Sequence, residues 1–135
     1  MLKIERVATK FKVYKNEQDL HDERLRSMKR SIQSELLEPL EDAAGDDVFY
    51  SLKAKNGFDI YLAEEKVMTF TFGDSAISYS FERQMEDVYV LIPTADGSCT
   101  YFHLFNDEEE QSLLFKNKDE VLEFLLDEIE SSMYL

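Results

Sequence analysis

The sequence has no tryptophan, one cysteine, two histidines, two prolines and four glycines among its 135 residues. The single cysteine, Cys99, cannot form an intramolecular disulfide or a thiolate metal cluster, so a reducing, cytoplasmic location is expected. The histidines, His21 and His103, fall in different predicted elements and lack the HExxH spacing of a zinc-binding helix. We therefore predict no metal site and no cofactor.

Catalytic motifs are missing as well. The chain has no GxGxxG, no GxxxxGKS or GxxxxGKT and no GxSxG, the patterns of dinucleotide sites, phosphate loops and hydrolase nucleophile turns. Cys99 and His103 stand four residues apart on one predicted strand, which separates them by about 13 Å, too far to share a proton. These absences predict a protein that is not an enzyme.

Long apolar runs are missing too. The longest aliphatic and aromatic run is 88–92, and Pro93 ends it. A membrane-spanning helix needs about 20 apolar residues, and a signal peptide needs an apolar centre of about 7 to 15 residues. Residues 1–15 carry a charge every few positions instead. We expect neither membrane insertion nor export by a signal peptide.

Basic residues are scarce after the first thirty positions. The formal net charge is −14, from 15 Lys and Arg against 29 Asp and Glu. Residues 1–30 hold nine basic and five acidic residues, whereas residues 31–135 hold six and 24. An acidic surface repels nucleic acid phosphates and steers encounter with basic proteins. We therefore expect a basic protein partner and no direct contact with nucleic acid.

Hydrophobic residues are plentiful, at 44% of the chain, and include 10 Phe and 7 Tyr. This length and composition support a buried core, so we predict one α+β domain over residues 1–135. A long amphipathic helix is predicted over residues 16–38, because apolar residues recur there every three or four positions until Pro39. Residues 2–14 fit a helix or a strand, and we predict a strand because Phe11 and Val13 alternate with lysines.

An antiparallel sheet is predicted after residue 47, where the hydrophobic period changes to two. Alternation between turn residues predicts a meander of about six strands, at residues 48–55, 58–63, 68–72, 77–81, 87–93 and 99–105. The clearest turns are Asn56-Gly57, Gly73-Asp74 and Asp96-Gly97, and Gly57 is predicted to take a positive φ.

The last two predicted strands are apolar at both parities, which indicates that both of their faces are covered. Two arrangements satisfy this pattern. In the first, one helix lies on each face of the sheet. In the second, the strands form a surface for a second copy of the chain or another partner, built from Tyr89, Leu91, Tyr101 and Phe105.

A second helix is predicted over residues 117–133, where Asn117 and Glu120 have the spacing of a capping box. Its apolar face comprises Val121, Leu122, Leu125, Leu126, Ile129 and Met133. Its opposite side carries four carboxylates at spacings of three and four, which we call the carboxylate stripe: Glu120, Glu123, Asp127 and Glu130. The acidic run 106–111 before this helix is predicted to be a loop that adds Asp107, Glu108 and Glu109 to the partner-binding residues.

A surface of one charge repels itself, which suggests that a basic partner neutralises it. The sequence therefore predicts a small acidic binding protein that neutralises a basic toxin or nucleic-acid-binding protein, as immunity proteins, antitoxins and phage-encoded inhibitors do. In one variant its carboxylates mimic nucleic acid. Two alternatives belong to other classes: a dimeric secretion or folding chaperone that presents apolar sheet surface to an unfolded client, and a small-molecule-binding domain with its pocket between sheet and helix.

Overall fold

The computed structural model describes residues 2–94, 101–106 and 109–134. It has the predicted α+β arrangement, in which helices lie against an antiparallel sheet. The helices are α1 (Leu2–Ser31), α2 (Glu38–Ala44) and α3 (Lys118–Ser131), with a π-helical segment (Ile32–Leu37) after α1 and a 3₁₀ turn (Ser132–Tyr134) after α3. The strands are β1 (Phe49–Ala54), β2 (Gly57–Leu62), β3 (Glu65–Phe72), β4 (Ile77–Phe81), β5 (Gln84–Pro93), β6 (Phe102–Asn106) and β7 (Glu109–Phe115).

The first helix is longer than predicted. The strand predicted at residues 2–14 is wrong, because α1 begins at Leu2 and runs for 30 residues. Residues 2–14 contain no Gly or Pro, so a helix that has formed further along gains one backbone hydrogen bond for each residue added, without a new nucleus. A strand, in contrast, needs a neighbouring strand to satisfy its backbone.

The helical path also continues past residue 38, where Pro39 was expected to end it. Pro39 lies in the first turn of α2, and because the helical backbone is continuous from α1 through the π-helical segment, its missing N–H removes one hydrogen bond from that path. In the π-helical segment before it, the N–H of Glu38 donates to the carbonyl of Gln33. This wider turn buries both Leu36 and Leu37, and Gly45, at φ 94°, then ends α2.

The sheet is a meander with the strand order β1 to β7, and all neighbouring strands are antiparallel. The segment 106–111 was predicted to be a loop, but residues from Glu109 onward form β7, an added strand paired with β6. Its acidic start masked the apolar residues that follow it, and an edge strand tolerates charged residues well. The Asp96-Gly97 turn and residues 99–100 of the sixth predicted strand lie outside the described residues.

One hairpin turn differs from expectation, and a second has a backbone conformation that its residues do not predict. The Asn56-Gly57 turn is present, but Gly57 does not take a positive φ. Its constraint is steric, because a Cβ atom at Gly57 would lie 1.8 Å from the backbone oxygen of Phe70. The positive angles occur instead at Ala63 (φ 49°) and Glu64 (φ 71°), which join β2 to β3. These are residue types that the sequence pattern does not associate with such a turn.

All the helices lie on one face of the sheet, which we call the covered face. One core cluster joins Leu25 and Met28 of α1, Leu125 of α3 and alternate residues of every strand. The predicted arrangement with one helix on each face is therefore wrong. The opposite face, which we call the open face, presents the other parity of each strand, including Leu52, Ile92, Phe105 and Leu114, and these four side chains are exposed.

Candidate protein-binding surfaces

The carboxylate stripe begins at a well-formed helix cap. The side chain of Asn117 accepts a hydrogen bond from the N–H of Glu120 at 3.0 Å, as the sequence predicts. The Glu120 carboxylate reaches back and accepts from the N–H of Lys116 at 2.7 Å. Glu120 therefore stabilises the start of α3, which leaves Glu123, Asp127 and Glu130 as the stripe residues free of this structural role.

The stripe lies on the solvent side of α3. Val121, Leu125 and Ile129 are buried against the sheet, whereas all four stripe residues are exposed. At about 100° of rotation per residue, the stripe is centred opposite Leu125, and it extends for about 15 Å along the helix axis. The predicted division of α3 into a buried apolar face and an exposed acidic face is confirmed. Leu126 and Met133 are exceptions, because both remain exposed.

The charge around the stripe is of one sign. Residues 119–135 contain six acidic residues and no Lys or Arg. The nearest basic residue along the chain, Lys118, forms an ion pair with Glu35 in the π-helical segment at 2.8 Å. The hydrogen bond from Lys118 lowers the pKa of Glu35 and raises that of Lys118. Within the described part of the chain, Glu123, Asp127 and Glu130 have no ion-pair partner.

One carboxylate of α3 points toward the sheet instead of into solvent. Glu128 accepts a hydrogen bond from the hydroxyl of Tyr79 in β4 at 2.8 Å. Burial raises the pKa of Tyr79, and the nearby charge of Glu128 adds to the effect. This pair was not predicted from the sequence. Its signal was a tyrosine between Ile77 and Phe81 at the buried parity of a strand, because a buried phenol needs a hydrogen-bond partner.

The four apolar residues proposed as a partner surface do not lie together. Leu91 is fully buried on the covered face, and Tyr89, on the same face, is half-buried with its ring stacked on Tyr79 at 5.0 Å. Tyr101 is half-buried beside α1, where the guanidinium of Arg24 lies 5.1 Å from its ring centroid. Only Phe105 is exposed on the open face. Leu91 therefore belongs to the core and presents no surface to a partner.

The open face carries a different apolar patch, over β5 to β7. Ile92 pairs with His103 and His103 with Leu114, while Phe105 pairs with Val90. The rings of His103 and Phe105 stack at 5.7 Å. Ile92 was missed because both parities of β5 are apolar, so the sequence alone does not tell which parity faces the helices. Leu114 was missed because β7 was not predicted as a strand.

The acidic run before α3 is described only in part. Asp107 and Glu108 lie outside the described residues, and Glu109 is the first residue of β7. The placement of the first two relative to the carboxylate stripe stays a prediction.

A shallow apolar groove lies where α2 and α3 meet the ends of β1 and β2. We call it the α2–α3 groove. Its volume is about 210 Å³, below the range of about 300 to 1,000 Å³ that small-molecule pockets occupy. Its apolar lining includes Leu40, Ala44, Val48, Leu62, Leu126 and Met133. The groove shows that apolar surface is accessible between the sheet and the helices, as the small-molecule hypothesis requires, although the space is small.

No helix in the described ranges is both long and apolar enough to cross a membrane. Within the same ranges, no three His, Cys, Asp or Glu residues form a group that could hold a metal ion. Comparisons with protein-family models, with curated proteins and with solved structures found no match.

Proposed function

We propose that this chain is a non-enzymatic binding protein that captures a basic protein on the carboxylate stripe of α3. The observation that carries the proposal is the exposed, unneutralised row formed by Glu123, Asp127 and Glu130 on the solvent side of a helix that is firmly held to the sheet. A rigid helix fixes the spacing of the three carboxylates before a partner arrives, so little side-chain and backbone order is lost on binding.

The arrangement also costs folding stability, which a partner would recover. Carboxylates three or four residues apart on a helix repel each other by a few tenths of a kcal/mol per pair. Asp127 and Glu130 lie near the carboxyl end of α3, where the helix dipole favours positive charge instead. Basic side chains of a partner would relieve both effects. The field of the acidic chain would also accelerate the encounter.

The proposed partner is a basic toxin or a nucleic-acid-binding protein, and this chain would neutralise it as an immunity protein, antitoxin or phage-encoded inhibitor does. If the partner binds nucleic acid, the stripe carboxylates would occupy its phosphate sites. We further propose a cytoplasmic location, because a chain with one cysteine does not depend on an oxidising compartment.

The test is paired affinity capture from the native host. The wild-type chain and the Glu123→Lys, Asp127→Lys variant serve as baits, and Glu17→Lys, Glu23→Lys is the matched control. The control makes the same change in net charge at two exposed positions of a different helix, α1. The expected result is a basic protein retained by the wild type and by the control but lost from the stripe variant.

Equal recovery of the partner by all three baits would contradict the proposal. Loss of the partner from the control as well would mean that net charge alone, and not the stripe, governs binding. Glu120 is left unchanged in these variants, because its carboxylate caps α3 and its reversal would weaken the fold.

A second candidate function rests on the open face. Exposed Ile92, Phe105 and Leu114 favour a chaperone that binds unfolded clients, and β7 supplies a sheet edge to which an extended peptide could add. Fluorescence anisotropy with labelled extended peptides tests it. Binding that the Leu114→Asp variant abolishes and the stripe variant keeps would favour this function over capture of a basic protein.

A further inference from the structure

The first half of α1 carries almost no buried side chains. From Lys3 to Asp19 every side chain is exposed except that of Val7, and the first core residue of the helix is Leu25. We call residues 3–20 the arm. At a rise of about 1.5 Å per residue the arm is about 27 Å long. An isolated helix of this length is marginal in water, so the arm gains stability if its apolar side is covered.

The arm has an apolar row at the spacing of a packed helix. Ile4, Val7, Phe11 and Tyr14 follow one another at intervals of three, four and three residues. Ile4 is 70% exposed, Phe11 68% and Tyr14 64%. Contiguous exposed apolar surface on a helix marks a place where another molecule binds.

Basic residues flank this row. Residues 1–15 contain five Lys and Arg and one acidic residue. The arm is therefore a basic amphipathic helix attached to an acidic protein, and its complement would be an apolar groove between acidic walls.

The α2–α3 groove matches this description. Its exposed apolar lining includes Val48, Leu126 and Met133. One wall is lined from within residues 40–49 and the other from within residues 126–133. These stretches contain four and three acidic residues, respectively, and no Lys or Arg. Glu130 lines the groove directly.

We propose that the arm of one molecule docks in the α2–α3 groove of a second copy of this chain. Phe11 would enter the groove while the rest of the apolar row packs along its rim, and the arm's lysines and arginines would face its acidic walls. The groove shares Glu130 with the carboxylate stripe, but the proposed occupant is a second copy of this chain and the proposal does not require that the stripe bind another protein.

The arm does not reach the groove of its own molecule. Arg24 donates a hydrogen bond to the carbonyl of Thr94 and lies over Tyr101, at the end of the sheet where β5 finishes. The groove lies at the opposite end of the strands, beside Phe49 and Leu62. Because α1 is continuous through Arg24, intramolecular docking would require the helix to break.

Charge also favours a second copy over a lipid surface. Basic amphipathic helices bind anionic membranes, but residues 31–135 hold six basic and 24 acidic residues and would be repelled there. The same acidic excess attracts the arm of another molecule.

Sedimentation equilibrium of the full chain tests the proposal. We expect the wild type to associate at concentrations up to about 1 mM, and the Phe11→Asp and Leu126→Asp variants to sediment as monomers of 15.8 kDa. Phe11→Asp disrupts the apolar row of the arm, and Leu126→Asp disrupts the groove. In an equimolar mixture, the Leu126→Asp chains still have an intact arm and the Phe11→Asp chains still have an intact groove. The mixture should regain a species of twice the monomer mass. Both substituted positions are exposed, and far-UV circular dichroism checks that each variant stays folded.

Four results would overturn the proposal. A wild-type chain that stays monomeric is the first. Association that Leu126→Asp and a second groove variant, Met133→Asp, both leave intact would mean that the arm binds elsewhere. Loss of association in the control Leu114→Asp, at an exposed leucine on the open face, would assign the interface to that face. A monomer whose arm binds vesicles of anionic phospholipid would identify the arm as a membrane anchor.

Discussion

The arm and α3 are both amphipathic helices, and they differ in what covers their apolar sides. Helix α3 buries Val121, Leu125 and Ile129 against the sheet and turns acidic residues to solvent. The arm leaves Ile4, Phe11 and Tyr14 exposed and carries basic residues. Hydrophobic spacing alone therefore does not distinguish a helix that is held in the core from one that is not.

The residues that stabilise the fold and the residues proposed to bind partners therefore lie in different parts of the molecule. Residues from Leu25 onward build the core, and the arm contributes almost nothing to it. The two exposed surfaces of opposite charge, the arm and the carboxylate stripe, thus lie on helices whose solvent-facing residues can be changed with little effect on folding.

The largest expected contrast comes from truncating one apolar residue in each helix. Leu125 is fully buried, so Leu125→Ala should lower the free energy of unfolding by about 2 to 5 kcal/mol. The equivalent truncation in the arm, Phe11→Ala, should change it by less than about 0.5 kcal/mol under conditions where the chain is monomeric. Urea denaturation followed by circular dichroism measures both. Similar losses in the two variants would show that the arm belongs to the cooperative core.

A substitution in the sheet beneath α3 should have the next largest effect on stability. Gly57→Val should cost about 3 kcal/mol of folding free energy, because the new side chain would meet the Phe70 carbonyl. Gly73→Ala is the control, since the nearest atom to its Cβ would lie at 3.2 Å. A fully stable Gly57→Val protein would mean that β2 and β3 do not approach each other as closely as described.

Removal of the α3 cap should have a smaller effect. Asn117→Ala deletes the acceptor for the Glu120 N–H, and loss of such a cap costs about 1 kcal/mol. Asn117→Ser, which keeps an acceptor oxygen, should retain most of the stability. Thermal denaturation of the wild type, Asn117→Ala and Asn117→Ser measures these differences in stability. Equal midpoint temperatures would exclude a stabilising role for the cap.

The smallest expected effect concerns the ion pair between Glu35 and Lys118. The pKa of Glu35 is lowered in the folded chain, so the pair stabilises the fold above the unfolded-state pKa of glutamate, about 4.3. That contribution is lost as the pH falls through the folded-state pKa. The wild type should thus exceed Glu35→Gln slightly in stability at pH 7 and approach it at acidic pH. A difference that persists unchanged at about pH 3 would contradict this assignment.

The parts of the fold that could be predicted from sequence are those that local patterns determine. Alternation at Ile77, Tyr79 and Phe81 predicts β4, and the spacing of Asn117 and Glu120 predicts the start of α3. The stripe could be predicted for the same reason, because helical spacing assigns each residue to a side of the helix.

The rest depends on contacts between distant segments. Tertiary packing decides which parity of β5 faces the helices, and it buries Leu91 while it leaves Ile92 exposed. Residues 2–14 alternate as a strand would, yet the adjoining helix sets their conformation. The hydrogen bond between Tyr79 and Glu128 joins residues 49 positions apart, which no local pattern connects.

Binding of a basic protein to the carboxylate stripe should depend strongly on salt, because it relies on attraction between charges. The captured partner is titrated with the wild type and with Glu123→Lys, Asp127→Lys at ionic strengths of about 0.01 M and about 1 M, where the Debye length falls from about 30 Å to about 3 Å. The wild-type affinity should fall at least about tenfold between them, and the variant should bind weakly at both. Equal affinities for the two proteins at low and at high salt would show that the stripe does not bind the partner.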